Sequence, residues 1–178
     1  MKKLIFPSLF IALFFACTSK SVENGKDKSE PLERTITFAF SDTVRLDTFR
    51  IALIGKNTDE MQMHFTITSY QGKEIYKQEI KASELLKNYI ATAELKKEAD
   101  KLKFLKEEIA YFFDERHFLE PAVTENESPD KNVPDLAFYQ ELKKSNLNGF
   151  EYRLAKDHNV YIAWSVKEQK VKIYYKCC

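Results

Sequence analysis

The sequence predicts an α+β fold: an antiparallel β-meander, a central helix or helix pair, and a C-terminal three-stranded antiparallel segment, in a single domain over residues 35–178. Three observations carry this expectation. Apolar and polar residues alternate from Thr35 to Ile80, apolar spacing changes to three and four between Ser83 and Phe112, and alternation returns from Phe150 to Tyr175. Strands followed by helices followed by strands is the order of an α+β chain with antiparallel sheet.

The first strand is read from Ile36, Phe38 and Phe40, set against Thr35, Thr37 and Ala39. Phe49, Ile51 and Leu53 repeat the pattern before Gly55, and Met61, Met63, Phe65 and Ile67 form a third apolar row. Gln71-Gly72-Lys73 supplies a turn into Glu74–Ile80, so four runs joined by short turns make a meander. Ser83 followed by Glu84 is a helix-start signal. Leu86, Tyr89, Leu95, Leu102, Leu105, Ile109 and Phe112 then fall at helical spacing, with Lys96/Asp100 and Lys103/Glu107 as charge pairs on the other face. The pattern is equally consistent with one long helix and with two broken near Thr92.

Glu120 to Asp135 holds three prolines and many acids, as an exposed loop does. A short helix is expected after Asp135, ended by Asn148-Gly149. Phe150, Tyr152 and Leu154, then Val160, Ile162, Trp164 and Val166, then Val171, Ile173 and Tyr175 give the last three strands. Their turns are Asp157-His158-Asn159 and Lys167-Glu168-Gln169.

The N-terminus has another character. Met1-Lys2-Lys3 precedes an apolar run from Leu4 to Phe15 and then Ala16-Cys17, the build of a signal peptide. The run is shorter than the about 20 apolar residues that span a bilayer. Leu13-Phe14-Phe15-Ala16-Cys17 resembles the lipobox of bacterial lipoproteins. That resemblance implies cleavage after residue 16, a diacylglycerol thioether on Cys17 and a membrane attachment through the lipid. Residues 17–34 read as the lipidated cysteine and a flexible tether, because Thr18 to Arg34 has almost no apolar residues to bury. No acidic cluster follows the cysteine (Thr18-Ser19-Lys20-Ser21), so the expected location is the cell envelope, at the outer membrane facing the periplasm. Asp42-Thr43-Val44 resembles the short acceptor motif for O-glycosylation in Bacteroidetes-type bacteria, which marks Thr43. The relaxed leader and small aromatic-rich domain resemble small lipoproteins of that group, a resemblance that brings no activity with it.

Composition removes several function classes. Loss of Lys2 and Lys3 with the leader turns a formal net charge of +1 into −1, and the charges are spread along the chain, so no nucleic acid partner is implied. Four glycines, Gly25, Gly55, Gly72 and Gly149, cannot write a P-loop or a dinucleotide fingerprint. No cofactor is expected. With Cys17 acylated, Cys177 and Cys178 remain as an adjacent pair, a candidate disulfide or redox pair without zinc-site spacing.

The candidate sites are sparse. Met61, Met63 and His64 are soft-metal ligand types, but in a strand the methionines and the histidine face opposite ways, so no metal site is expected. Asp114 and His117 have the three-residue spacing of one half of a di-iron motif, with no second half in the chain. The three histidines, His64, His117 and His158, leave few routes to histidine catalysis, and no Gly-x-Ser-x-Gly elbow occurs. Tyr161 and Tyr174 sit on the strand faces opposite the apolar rows, where exposed aromatics would bind a ligand. The expectation is a non-catalytic envelope module that binds a protein, glycan or peptide partner through an exposed strand face or edge. The alternative is a periplasmic hydrolase whose site is assembled from distant residues.

Overall fold

The computed structural model describes residues 32–87, 89 and 95–177; Cys17, the signal-peptide and lipidation readings, and Cys178 lie outside them. In chain order the elements are β1 (Glu33–Ala39), β2 (Leu46–Ile54), β3 (Gln62–Thr68), β4 (Glu74–Lys81), α1 (Ala82–Leu86), α2 (Glu98–Tyr111) and β5 (Phe118–Leu119), then α3 (Leu136–Ser145), β6 (Gly149–Ala155), β7 (His158–Ser165) and β8 (Lys170–Cys177). The mixed α+β composition and the antiparallel pairing expected from the sequence are present. They are organised as two four-stranded antiparallel sheets, ordered β1-β2-β3-β4 and β5-β6-β7-β8.

The first sheet is the meander expected from period two. Its register sets Phe49 opposite Ile36 and Ile67, and Ile51 opposite Phe65, so apolar residues gather on one face. Its first strand starts inside the expected tether: Glu33 and Arg34 pair with Ala52 and Ile51. Arg34 is also held by the carbonyl of Ala110, and Glu33 by Arg50. Charged residues in a Ser/Lys/Glu-rich run gave no period to read, yet partners distant in sequence place them in the sheet.

The second sheet has one strand more than the sequence suggests. Phe118-Leu119 pairs with Phe150-Gly149 and follows a 3-10 turn, Glu115–His117, capped by the Asp114 side chain. A two-residue strand is too short to show alternation.

A single aromatic layer joins the sheets. Phe65 of β3 has ring centroids of Phe112, Phe150, Tyr152 and Tyr76 at 5.1, 5.3, 5.3 and 5.6 Å, mostly edge to face. Phe49 lies 5.4 Å from Phe150. Phe112 and Phe113, just beyond α2, enter this layer and are buried with Leu105 and Ile109. A Tyr76–Tyr152 hydroxyl pair at 2.6 Å crosses from one sheet to the other. Among the described residues, the stretch assigned to one long helix or two holds α1 and α2 as separate helices. Ser83 is not the N-cap: α1 starts at Ala82, which is buried with Leu85 and Leu86, and packing against β4 and β6 sets the start. None of the described helices is long and apolar enough to cross a membrane.

The other face of the second sheet carries α3. It follows Asp135 as expected, and Asp135 caps its N-terminus by accepting from Phe138 N at 3.0 Å. Its end differs from the expectation: Asn146, at φ 49°, adopts the left-handed C-cap, and Gly149 is the first residue of β6. Gly149 is needed for close approach, since a Cβ there would lie 2.8 Å from the Tyr174 hydroxyl and 3.0 Å from Ala122 Cβ. Phe138, Tyr139 and Leu142 pack on Ala163 and Tyr174, with Ala122 and Val123 from the loop after β5. That loop was expected to be exposed. Thr124 to Lys131 are exposed as expected, whereas Ala122 and Val123 are buried, and Asp130 and Asn132 bind the Tyr175 hydroxyl.

Burial raises the pKa values of the Tyr152, Tyr76 and Tyr174 phenols above the ordinary tyrosine range. A raised folded-state pKa means that the stability these groups contribute is complete below about pH 10 and is lost as pH rises toward the folded values. In an alkaline titration, absorbance at 295 nm should show these phenols ionising only as far-UV circular dichroism is lost. Ionisation of all nine tyrosines with the dichroism intact would contradict this account.

Candidate functional site

Two carboxylates not singled out from the sequence shape one end of the sheet pair. Asp47 of β2 has no solvent exposure. It accepts from Ser41 N at 2.6 Å, from Ser41 Oγ at 3.0 Å and from Tyr70 N at 2.8 Å. It therefore ties the β1–β2 connection to the β3–β4 hairpin. A buried charge is tolerated only when such donors replace its water. The clue in the sequence is that Asp47 shares the inward parity of Phe49 and Ile51.

Glu141 of α3 has the matching role on the second sheet. It accepts from Ser165 Oγ at 3.0 Å and from Lys167 N at 3.2 Å, which holds the β7–β8 turn. Lys172 reinforces this turn by reaching both Asp135, at 2.7 Å, and Glu168. The Lys172 ammonium beside Asp135 holds that carboxyl below its usual range.

Between these anchored turns opens a cleft of about 720 Å³, within the about 300–1,000 Å³ typical of small-ligand sites. Its lining includes Trp164, Ile75, Tyr70, Thr43, Lys73 and Lys144. Trp164, the one tryptophan of the chain, is half-buried and packs against the aromatic layer. On the rim the Arg45 guanidinium stacks over Tyr70 at 3.9 Å and pairs with Asp42 at 2.8 Å. The backbone N–H groups of Arg45 and Val44 and the Arg45 guanidinium pull the Asp42 pKa down to about 2. The Gly72 φ of 80° allows the hairpin beside Tyr70 to turn tightly.

Both carboxylates in this cleft are engaged by protein donors. Asp42 is held ionised by its donors, and Glu141 is engaged in fixing a turn. The lining residues include no histidine or cysteine to serve as base or nucleophile. The arrangement offers an apolar ring surrounded by polar groups, which suits binding. A smaller pocket of about 240 Å³ lies between α2 and β6 and contains His117, Glu108 and Arg153. There Glu108 is bound by Arg153 in a two-point ion pair, Arg153 also donates to Tyr89 Oη at 2.9 Å, and His117 Nδ1 is 2.9 Å from the Phe112 carbonyl.

The residues singled out from the sequence are dispersed. Tyr174 is buried beneath α3 at 3 % exposure, which removes it from an exposed binding patch. A register shift sets Tyr161 opposite Tyr175 and Ile162 opposite Ile173, leaving Tyr174 as the extra residue of β8. This bulge turns Tyr175, expected in the row of Ile173, toward the α3 face with Tyr161. Tyr161 is half-buried, 3.8 Å from Cys177 Sγ. Met63 is buried and Met61 half-buried, and His64 projects from the opposite face of β3. His158 is in β7 instead of a turn, and Asp114 binds Arg116. Among the described residues no three His, Cys, Asp or Glu side chains converge on a possible metal position. Thr43 is exposed and lines the cleft. Comparison with protein-family models, curated proteins and solved structures finds no match, so the functional reading rests on geometry.

Replacing Asp47 with Ala should cost about 2–4 kcal/mol, because two backbone N–H groups and a hydroxyl lose their acceptor. Urea denaturation measures this, and Asp47→Asn should lose less. A loss below about 0.5 kcal/mol for the alanine variant would show that the carboxylate does not hold the rim.

Proposed function

We propose that this protein is a non-catalytic saccharide-binding module of the bacterial cell envelope, tethered through lipid on Cys17 at the periplasmic face of the outer membrane. The observation that supports binding is the position of Trp164, in an open cleft whose two carboxylates are already committed to protein donors. A flat indole beside side-chain amides and hydroxyls matches a sugar ring, which has an apolar face and a polar perimeter. Anchored turns keep the cleft preorganised, so little ordering entropy is lost on binding.

The tether reading rests on the lipobox-like Ala16-Cys17 pair and the polar run that follows it. Such a leash would let the module reach envelope glycans while remaining attached. Thr43, if glycosylated, would place its own glycan at the cleft mouth. The hydrolase alternative would draw on His117 in the smaller pocket, where Glu108 is already locked to Arg153.

A panel of envelope and plant-type oligosaccharides, screened by the change in Trp164 fluorescence, tests the cleft. At least one ligand should bind in the micromolar to millimolar range. By calorimetry Trp164→Ala should then bind at least tenfold more weakly, about 1.4 kcal/mol. Absence of any saccharide ligand, or undiminished binding by the variant, would refute the reading. For the anchor, metabolic labelling with an alkynyl fatty acid should mark the wild type and not Cys17→Ser; an unlabelled wild type would refute lipidation.

A further inference from the structure

We infer that the cleft selects an acidic saccharide, one carrying a carboxylate beside the ring that meets Trp164. This rests on the saccharide reading above and specifies its ligand. Four charged residues line the cavity: Asp42, Glu141, Lys73 and Lys144. Asp42 is held by two backbone N–H groups and by Arg45. Glu141 is held by Ser165 and Lys167. The ammonium groups of Lys73 and Lys144, by contrast, make no ion pair or hydrogen bond among the described residues. Both side chains are exposed. One belongs to the connection before β4 in the first sheet, the other to α3 over the second. The uncommitted charge of the cleft is therefore cationic and comes from both walls, with Trp164 lining the same space.

The backbone of the rim disfavours a peptide. A strand-like peptide binds mainly through free main-chain groups. Here the amide protons of Ser41, Tyr70, Gly72, Lys73 and Lys167 are already donated, to Asp47, Ser69 and Glu141. With these amides engaged, recognition falls mainly to side chains. In Gln71 and Gln169 the amide nitrogen is engaged, by Tyr70 Oη and by the Val166 carbonyl, while the amide oxygen keeps its capacity to accept. Two ammonium groups for a carboxylate, amide oxygens for hydroxyls and an indole face for the ring together describe a uronic-acid-type sugar.

The test uses the full-length protein and the double variant Lys73→Met/Lys144→Met, with isothermal calorimetry against a tetragalacturonate, a neutral galactotetraose and a hexaglutamate peptide. The wild type should bind the tetragalacturonate about fivefold or more tightly than the neutral sugar at low salt, with the preference fading at 1 M NaCl. The double variant should lose that preference and bind the acidic and neutral sugars alike. Its thermal midpoint should be unchanged, since neither lysine has a partner to lose. Equal binding of acidic and neutral sugars by the wild type would overturn the inference and leave the saccharide cleft standing. Hexaglutamate binding as tightly as the acidic sugar would overturn it in favour of an acidic peptide. Failure of all three probes, with the panel above also silent, would remove the saccharide reading itself.

Discussion

Phe65 touches rings from its own sheet, from the opposing sheet and from the end of α2, and the rest of the molecule is arranged around that meeting. Each antiparallel sheet has an apolar face that must leave water, and neither can do so alone. Aromatic side chains solve the problem because a few large rings fill the gap between two twisted sheets and meet at edge-to-face angles. Once Phe49, Phe65, Phe150 and Tyr152 are in contact, the positions of α1 and α2 follow, since their buried residues complete the same layer. The second sheet retains one further face, which α3 covers through Phe138 and Leu142.

The aromatic layer also accounts for the place of the cleft. Packing is continuous through the centre of the sheet pair and ends at Trp164 and Ile75, where turns take over from strands. Turns cannot fill such a space with apolar side chains, so they are braced by hydrogen bonds instead. Asp47 braces the turns of the first sheet and Glu141 that of the second. The cost of removing Asp47 from water is offset by three donors, and the result is a rim of fixed shape. The same commitment of carboxylates leaves the lysines as the free charges, which joins the architecture of the rim to the ligand proposed for it.

Much of the fold was legible in the alternation of residues 35–80 and 150–175, because period two is a direct consequence of the pleat. The position of α3 after Asp135 was legible too, from the helical spacing of Leu136, Tyr139 and Leu142. The site was less so. Trp164 was read as core, from its parity with Val160 and Ile162, and it does pack there; that it also lines a cleft depends on the loops of the other sheet. Tyr161 and Tyr174 stood out as a possible binding pair, but a bulge reverses one face of β8 and α3 closes over it. Asp47, Glu141, Lys73 and Lys144 did not stand out, in a chain where acids and lysines are abundant. Asp47 alone carried a signal, as a charge at an inward-facing strand position.

By itself, the sequence determined what local rules govern: most of the stretches that are strand or helix, and the apolar side of each. Tertiary structure decided that the strands form two four-stranded sheets, that Phe118-Leu119 is a strand, that Glu33 and Arg34 belong to the fold, and which charges are committed among the described residues. The reason is one of range. Periodicity reports how a residue is oriented within its own element. The Tyr70 amide that binds Asp47 lies 23 positions away and the Asn148 side chain that reaches the Ala39 carbonyl lies 109 away, and only packing brings such partners together.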